Sequence, residues 1–123
     1  PGDHGSTYGG NPFVTSAVDV CFQIFEEDGI LENVRETGEY LYQKLEELKE
    51  DYEFITAHRG MAMMQGLEFN CEVKDILSKA LEKGLVLISA GSNIIRFLPP
   101  LIISRDDVDE MITILKEIFD ENI

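Results

Sequence analysis

The segment from Asp3 to Pro12 carries residue types that can bind a phosphate group. It contains three glycines and the hydroxyls of Ser6 and Thr7, has no lysine or arginine, and directly precedes a helical pattern. Glycine permits a positive φ and a close backbone approach, and exposed N–H groups with hydroxyls can hold a phosphate without a cation. Short glycine patterns also occur by chance. Composition alone therefore favours a flexible Gly/Ser-rich tail, with a phosphate-binding loop as the alternative.

Arg96 is the second candidate, because it is the single charge within the apolar run Ile94, Ile95, Phe97 and Leu98. A guanidinium binds a carboxylate through two parallel hydrogen bonds, a geometry that lysine cannot reproduce. An arginine in so apolar a strand rarely lacks a partner. From these residues alone, an arginine on the solvent face of an edge strand, or one in a structural ion pair, is preferred to a substrate-binding arginine.

The histidines and cysteines do not form a catalytic set. His4 and His58 lack a nucleophile partner, and we expect both to be structural. Cys21 and Cys71 have no CxxC partner, and two histidines do not complete a metal spacing, so no metal site is predicted. Cys21 lies among apolar helical positions and is expected to be a core thiol. A disulfide is disfavoured in a chain that looks cytoplasmic.

Composition excludes some partners. The chain has 123 residues, which predicts one domain, and 44% of them are hydrophobic, enough for a core. With 24 acidic and 10 basic residues the formal charge is −14, which argues against nucleic acid and anionic membranes as partners. We interpret the acidic runs as solvated helix faces. No apolar run approaches the roughly 20 residues of a membrane span, and the sequence begins abruptly, as though the protein starts upstream.

Four helices are predicted from apolar spacing. The first begins with Asn11 as N-cap and Pro12, and ends near Gly29. The second covers about 31–52 and is expected to pack on a sheet rather than in a coiled coil. The third covers 73–83, and the fourth follows Ser104, which with Asp107 resembles a capping box.

Four short strands are predicted at 54–57, 61–69, 85–89 and 93–98, with a break at Arg59–Gly60. Met61, Met63 and Met64 are expected to fill the core, with a pliable binding surface as the alternative. Short strands before and after a helix predict an α+β fold: a small, largely antiparallel sheet covered by helices on one face.

Two strings in this order resemble class III pyridoxal-phosphate aminotransferases. Residues 3–12, DHGSTYGGNP, resemble one segment of that family, and residues 93–101, NIIRFLPPL, resemble its arginine-containing strand near the C-terminus. Residues 28–34 and 59–61 resemble two further landmarks between them. The likeness covers essentially the whole chain and is greatest to the acetylornithine aminotransferase branch.

The resemblance implies a division of the chain and roles for three residues. Residues 11–123 would be the C-terminal small domain of a fold-type I enzyme, and residues 1–10 a remnant of the large-domain cofactor and interface loop. Thr7, with Ser6 beside it, matches the position that contacts the phosphate of pyridoxal 5'-phosphate across a dimer interface. Arg96 matches the arginine that receives the α-carboxylate of the amino-acid substrate.

The resemblance also implies that the covalent machinery lies upstream of Pro1. The family uses a lysine that forms a Schiff base with the cofactor. The six lysines here all lie in charged helical contexts that predict solvent exposure: Lys44, Lys49, Lys74, Lys79, Lys83 and Lys116. No catalytic residue is therefore assigned within this chain, and the chain alone is expected to be inactive.

The implied parent is a cytoplasmic homodimer that acts in arginine biosynthesis. It would transfer an amino group from N-acetylornithine or a related ω-amino acid to 2-oxoglutarate, and its own N-terminal large domain would be this chain's partner. Other branches use ornithine, 4-aminobutyrate or a carrier-linked lysine. The alternative is a free-standing acidic α+β module that binds a partner protein or a small carboxylate without catalysis.

Overall fold

The computed structural model describes residue 2 and residues 4–121, which cluster into two compact units, Pro1–Glu32 and Asn33–Ile123. Pro1 and Asp3 of the predicted segment 1–10 lie outside the described residues, as do residues 122 and 123.

The first unit contains helix α1, Pro12–Glu27. Asn11 is its N-cap, as predicted, and its side chain accepts a hydrogen bond from the Val14 amide. Gly29 follows the end of α1 with a φ of +63°, a conformation that glycine adopts at low cost. None of the residues of α1 is buried, so the prediction that Cys21 is a core thiol was wrong: Cys21 is exposed.

The helices of the second unit each bury one apolar stripe. Helix α2 spans Ile30–Asp51, and its portion from Asn33 onward belongs to this unit. Helix α3 spans Lys74–Glu82, and α4 spans Arg105–Asp120. The predicted capping box of α4 is confirmed, because Ser104 Oγ accepts from the Asp107 amide while the Asp107 carboxylate accepts from the Ser104 amide.

The four strands form one antiparallel sheet in the order β1-β2-β4-β3. They are β1 Ile55–Met61, β2 Met64–Phe69, β3 Ile88–Ser89 and β4 Ile94–Phe97. The predicted break at Arg59–Gly60 was wrong, because β1 continues through both residues. Gly60 is tolerated there for a packing reason: a Cβ at residue 60 would collide with the Gln65 side chain and the Met64 carbonyl.

One face of the sheet packs on the three helices and forms the core. Alternation along β2 and β4 directs Leu67, Phe69, Ile95 and Phe97 to this face, and all four are buried. Ile55 of β1 and Val73, just before α3, also belong to this core. The helices contribute its other buried side chains: Leu41, Leu45 and Leu48 from α2, Ile76 and Ala80 from α3, and Val108, Ile112, Leu115, Ile118 and Phe119 from α4. Burial of one such leucine or phenylalanine contributes roughly 1.5–3 kcal/mol. The predicted α+β class is confirmed.

The turn between β1 and β2 corrects the expectation for the methionines. Only Met63 is buried, whereas Met61 is 82% and Met64 54% exposed. Met61 and Met64 pair with each other at the end of the ladder, on the sheet face opposite the helices, and therefore do not fill the core. Between them Ala62 adopts a φ of +50°, a left-handed conformation that costs a residue with a Cβ roughly 1–2 kcal/mol.

Candidate functional site

Arg96 lies on the sheet face that the helices leave uncovered. It is exposed, whereas its neighbours Ile95 and Phe97 point into the core. Strand β4 pairs with β2 on one side and with β3 on the other, so Arg96 is not on an edge strand. Among the described residues the side chain of Arg96 makes no hydrogen bond or ion pair. Arg96 is therefore on the solvent face of the sheet, as one structural interpretation expected, but its strand is not an edge strand and its side chain has no ion pair among the described residues.

A row of three residues crosses the sheet on this face. Arg59 of β1 is opposite Gly66 of β2, and Gly66 is opposite Arg96 of β4. The Arg59 guanidinium forms an ion pair with the carboxylate of Glu68, so its charge is balanced within the chain. Gly66 adds no side chain to the row. Arg96 therefore has open space beside it and a cationic head that no described acidic group neutralises.

The lack of a side chain at residue 66 is not required by the packing of this chain. A Cβ built on Gly66 would have its nearest neighbours at 3.7–3.8 Å, which is ordinary van der Waals contact. Glycine within a strand often marks a place where a ligand or another backbone approaches closely. The space beside Gly66 is therefore open to a ligand.

A shallow cavity of about 310 Å³ occupies this part of the face. The side chains and backbone around it come from β1, β2, β4 and the segment before β4: Arg59, Gly60, Met61, Met64, Gln65, Gly66, Glu68, Ala90, Ile94 and Arg96. Its walls are mainly apolar, and its charged groups are the Arg59–Glu68 pair and Arg96. Such a cavity can bind a small carboxylate and hold an aliphatic chain.

Ser6 and Thr7 lie in the unit Pro1–Glu32, whereas Arg96 lies in the unit Asn33–Ile123. Both hydroxyl residues are exposed. Ser6 Oγ accepts a hydrogen bond from the Gly9 amide at 3.0 Å, so this hydroxyl already stabilises the local turn from Ser6 to Gly9. The side chain of Thr7 makes no hydrogen bond to the described residues. The phosphate role of these two residues stays a prediction, and of the two hydroxyls Thr7 has the greater capacity for a new partner.

The six lysines lie outside the cavity, and none of them is buried. Five form ion pairs with acidic residues of the helices, such as Lys44 with Glu47 at 3.1 Å and Lys116 with Asp51 at 2.9 Å. A lysine that forms a Schiff base needs a dry pocket that favours its uncharged form. None of these lysines has that environment in the structure.

Residue 2 and residues 4–121 contain no cluster of three or more histidine, cysteine or acidic side chains that could hold a metal ion. In the same part of the chain, no helix combines the length and apolar character needed to cross a membrane.

Sequence reasoning missed two sets of interactions near the cavity. The first is the pairing of Arg59 with Glu68. The second is a buried contact of His58 with Glu46 and Gln65. Both were missed because Arg59–Gly60 was interpreted as the end of a strand. Period-two spacing from Ala57 to Met61 was the available signal, because it places Arg59 on one face and His58 on the other.

Comparison with known proteins gives a consistent result. The family model described as "Aminotransferase class-III" matches residues 1–119. The acetylornithine aminotransferase of Clostridium acetobutylicum is 44% identical over 118 residues, and that of Methanocaldococcus jannaschii is 42% identical over 120 residues. These matches cover 95% and 98% of this chain. The chain spans 30% of the length of each of the two relatives.

Two solved aminotransferase structures have a fold similar to that of this chain. Ornithine delta-aminotransferase of Plasmodium falciparum superposes with a TM-score of 0.86 at 32% identity, over 100% of this chain and 33% of that protein. Acetylornithine aminotransferase of Elizabethkingia anophelis gives a TM-score of 0.86 at 26% identity, over 98% of this chain and 31% of that protein.

Proposed function

The chain belongs to the class III aminotransferase family, and we propose that it is the C-terminal part of a longer, pyridoxal-phosphate-dependent aminotransferase. In this proposal it supplies the carboxylate-binding arginine of the substrate site, while the residues that bind the cofactor covalently lie in the rest of the protein. The chain by itself is inactive.

The observation that carries this proposal is the environment of Arg96. The guanidinium lies on an interior strand, beside the bare backbone of Gly66, and has no partner among the described residues. A planar guanidinium forms two parallel hydrogen bonds to a carboxylate, and charge-assisted bonds of this kind contribute on the order of 1.5–3 kcal/mol each. Arg96 therefore binds and orients the α-carboxylate of the amino-acid substrate.

The cavity walls contribute the rest of the substrate contact. Met61, Met64 and Ile94 line the cavity that contains Arg96 and contact the aliphatic part of the substrate, from which they exclude water. The charges of Arg59 and Glu68 neutralise one another, so the positive charge of Arg96 remains to attract the carboxylate of the ligand. Orientation of a substrate by such contacts lowers the entropy cost of the reaction step.

The residues present fit an auxiliary contact to the cofactor but not its attachment. Thr7 has an exposed hydroxyl with no described partner, which suits a phosphate oxygen, whereas no lysine of the chain is buried. When bound, pyridoxal phosphate supplies the electron sink on which the amino group is carried between substrates. Thr7, with Ser6 beside it, would hold the phosphate of that cofactor, and in a homodimer the contact would reach the partner subunit's site.

Helix α1 supports the proposal that a large domain is this chain's partner. Its exposed apolar residues lie on more than one side of the helix: Phe13, Val14, Val18, Val20, Phe22, Ile24 and Phe25. A helix that is apolar on several sides is normally enclosed by protein. The two curated relatives have more than twice as much additional chain as the part matched here, since that part is 30% of their length. The large domain of the same protein is the proposed cover.

The proposed reaction transfers an amino group from N-acetylornithine or a related ω-amino acid to 2-oxoglutarate, as a cytoplasmic step of arginine biosynthesis. Support for this donor comes from the names of the relatives at 44% and 42% identity. The test is steady-state kinetics of the full-length protein with N-acetylornithine, ornithine and 4-aminobutyrate as donors. The highest kcat/KM is expected with N-acetylornithine, and a preference for either other donor would reject this assignment.

Kinetics of the full-length protein also test whether this chain takes part in amino transfer. A fall in kcat/KM when Arg96 is replaced by lysine, with no such fall in Arg105→Lys, supports the proposed role. Arg105 is the matched control because its guanidinium lies 5.4 Å from the Tyr40 ring on another part of the molecule. A full-length protein that binds carboxylates but transfers no amino group would instead support the non-catalytic binding module.

A further inference from the structure

His58 is enclosed between α2 and the sheet, and both of its ring nitrogens have partners. Its side chain is 0% exposed. Nδ1 lies 2.7 Å from Glu46 Oε1, and Nε2 lies 3.0 Å from Gln65 Oε1. The titratable groups in contact with the ring are the Glu46 carboxyl and Tyr42, whose ring centroid is 4.5 Å away.

The partners determine the number of protons on the ring. An ionised carboxylate only accepts hydrogen bonds, so the nitrogen facing Glu46 donates. Glu46 also forms an ion pair with Lys49 at 3.1 Å, which favours the ionised carboxylate independently of His58. Partial burial opposes its ionisation, but the pKa of the Glu46 carboxyl is lowered overall. Glu46 therefore remains the acceptor.

The amide of Gln65 is oriented by a second contact. Its Nε2 donates to the Ala62 carbonyl at 2.7 Å, which leaves Oε1 to face His58. Turning the amide over would place two acceptors against each other at Ala62. The nitrogen that faces Gln65 is consequently a donor as well, and a ring with two N–H donors is an imidazolium.

We propose that His58 is a buried imidazolium and that Glu46, His58 and Gln65 are positioning residues, which fix the turn at Ala62–Met63 beside the cavity of Arg96. The contacts link three elements: Glu46 on α2, His58 on β1 and Gln65 on β2. The last donor of this network bonds to the carbonyl of Ala62, the residue with a φ of +50°. The network therefore stabilises the strained residue of the turn.

Two glycines fit the same arrangement. A Cβ at Gly38 would lie 2.9 Å from backbone atoms of Ala62, so α2 and the turn are in direct contact only because residue 38 is glycine. Gly60 leaves the space that the Gln65 amide occupies. Met61 and Met64 flank the turn and line the cavity. The network thus determines the positions of the Met61 and Met64 side chains relative to Arg96. This part of the proposal rests on the proposed function.

The first test is independent of that function. The chain has two histidines, His4 and His58, so a long-range ¹H–¹⁵N correlation spectrum resolves both, and a His4→Gln variant assigns them. At neutral pH the His58 ring is expected to show two protonated nitrogens. One unprotonated nitrogen at His58 under these conditions would overturn the proposal, whatever the protein catalyses.

The second test uses Gln65→Glu, which keeps an acceptor for His58 but removes the donor to Ala62. Amide hydrogen exchange of Met63 and Met64 is expected to rise about ten- to a hundredfold, the effect of losing one buried hydrogen bond. The matched control is Gln23→Glu on α1, whose amide bonds to Asp19. Unchanged exchange at the turn in Gln65→Glu would show that the network does not hold it.

The third test addresses positioning in the full-length protein. His58→Phe keeps an aromatic ring beside Tyr42 and removes both N–H donors. The KM for the amino-acid substrate is expected to rise at least severalfold while kcat changes little, because the cavity walls shift but no reacting group is lost. An unchanged KM would reject positioning, and absence of any transfer in the unmodified protein would reject the proposed function while leaving the spectroscopic result intact.

Discussion

Arg96 and Gly66 face each other across β4 and β2, so a guanidinium with no partner among the described residues lies beside a position that has no side chain. The pairing register creates this relationship. Residue 66 shares the uncovered face with Arg59 and Arg96 because alternate residues of a strand point to the same side of the sheet.

Replacement of Arg96 by lysine in the full-length protein is expected to lower kcat/KM by roughly one to two orders of magnitude. Lysine keeps the charge but loses the planar fork, and 1.4 kcal/mol corresponds to about tenfold in rate. Cofactor binding and folding should be retained. Steady-state kinetics with a parallel cofactor titration measure both, and Arg105→Lys is the control. Release of the cofactor, or unchanged turnover, would mean that Arg96 does not bind the substrate.

Replacement of Gly66 by alanine separates binding from stability. The added methyl group meets only contacts of 3.7 Å or more, so the free energy of unfolding should change by less than about 1 kcal/mol. The same methyl group enters the space beside Arg96, so KM for the amino acid should rise in the full-length protein. Urea unfolding and kinetics are the two measurements.

Gly38→Ala is the matched comparison for Gly66→Ala. Its methyl group would lie 2.9 Å from the Ala62 backbone, and relief of such overpacking costs typically about 1–3 kcal/mol. The urea midpoint should therefore fall in Gly38→Ala and stay nearly constant in Gly66→Ala. Equal stability of the two variants would contradict the close packing of α2 on the turn.

The cap of α4 gives a prediction about acid stability. Hydrogen bonds from the Ser104 backbone and side chain lower the pKa of the Asp107 carboxyl. The pKa of Asp107 is therefore lower in the folded than in the unfolded chain. The stabilisation of the folded state by these hydrogen bonds is complete above the unfolded pKa, and it is lost as the pH falls through the folded pKa. Ser104→Ala should cost about 1 kcal/mol at neutral pH. It should also weaken the pH dependence in the acid range, measured by urea unfolding at several pH values, and an unchanged profile would argue against the capping role.

The chain of 123 residues is expected not to form a covalent adduct with pyridoxal phosphate at a single lysine. Its lysines are exposed or half-exposed, and five of them are paired with acidic groups, so none has the dry surroundings that favour a neutral amine. The measurement is visible absorbance after mixing with the cofactor, followed by borohydride reduction and peptide mapping. One lysine labelled stoichiometrically would disprove this expectation.

Local patterns determined much of the fold. Asn11–Pro12 and Ser104–Asp107 marked helix starts because capping depends on residues within one turn of each other. Apolar spacing located the four helices and the regions of the four strands, and together they indicated the α+β class. The bounds of the strands were less accurate, because β1 extends to Met61, β2 begins at Met64 and β3 is shorter than predicted. The residues around Thr7 and Arg96, in this order along the chain, were enough to indicate the class III aminotransferase family, whose model matches residues 1–119.

The tertiary structure decided which neighbours those residues meet. Only the register of β2 with β1 and β4 places Gly66 between Arg59 and Arg96, and Glu68 beside Arg59. Gly60 is a strand-breaking signal by itself, but it continues β1 because the side chain of Gln65 occupies the space of its missing Cβ. Such a contact joins residues on different strands, and its geometry depends on pairing that no local window of the sequence contains.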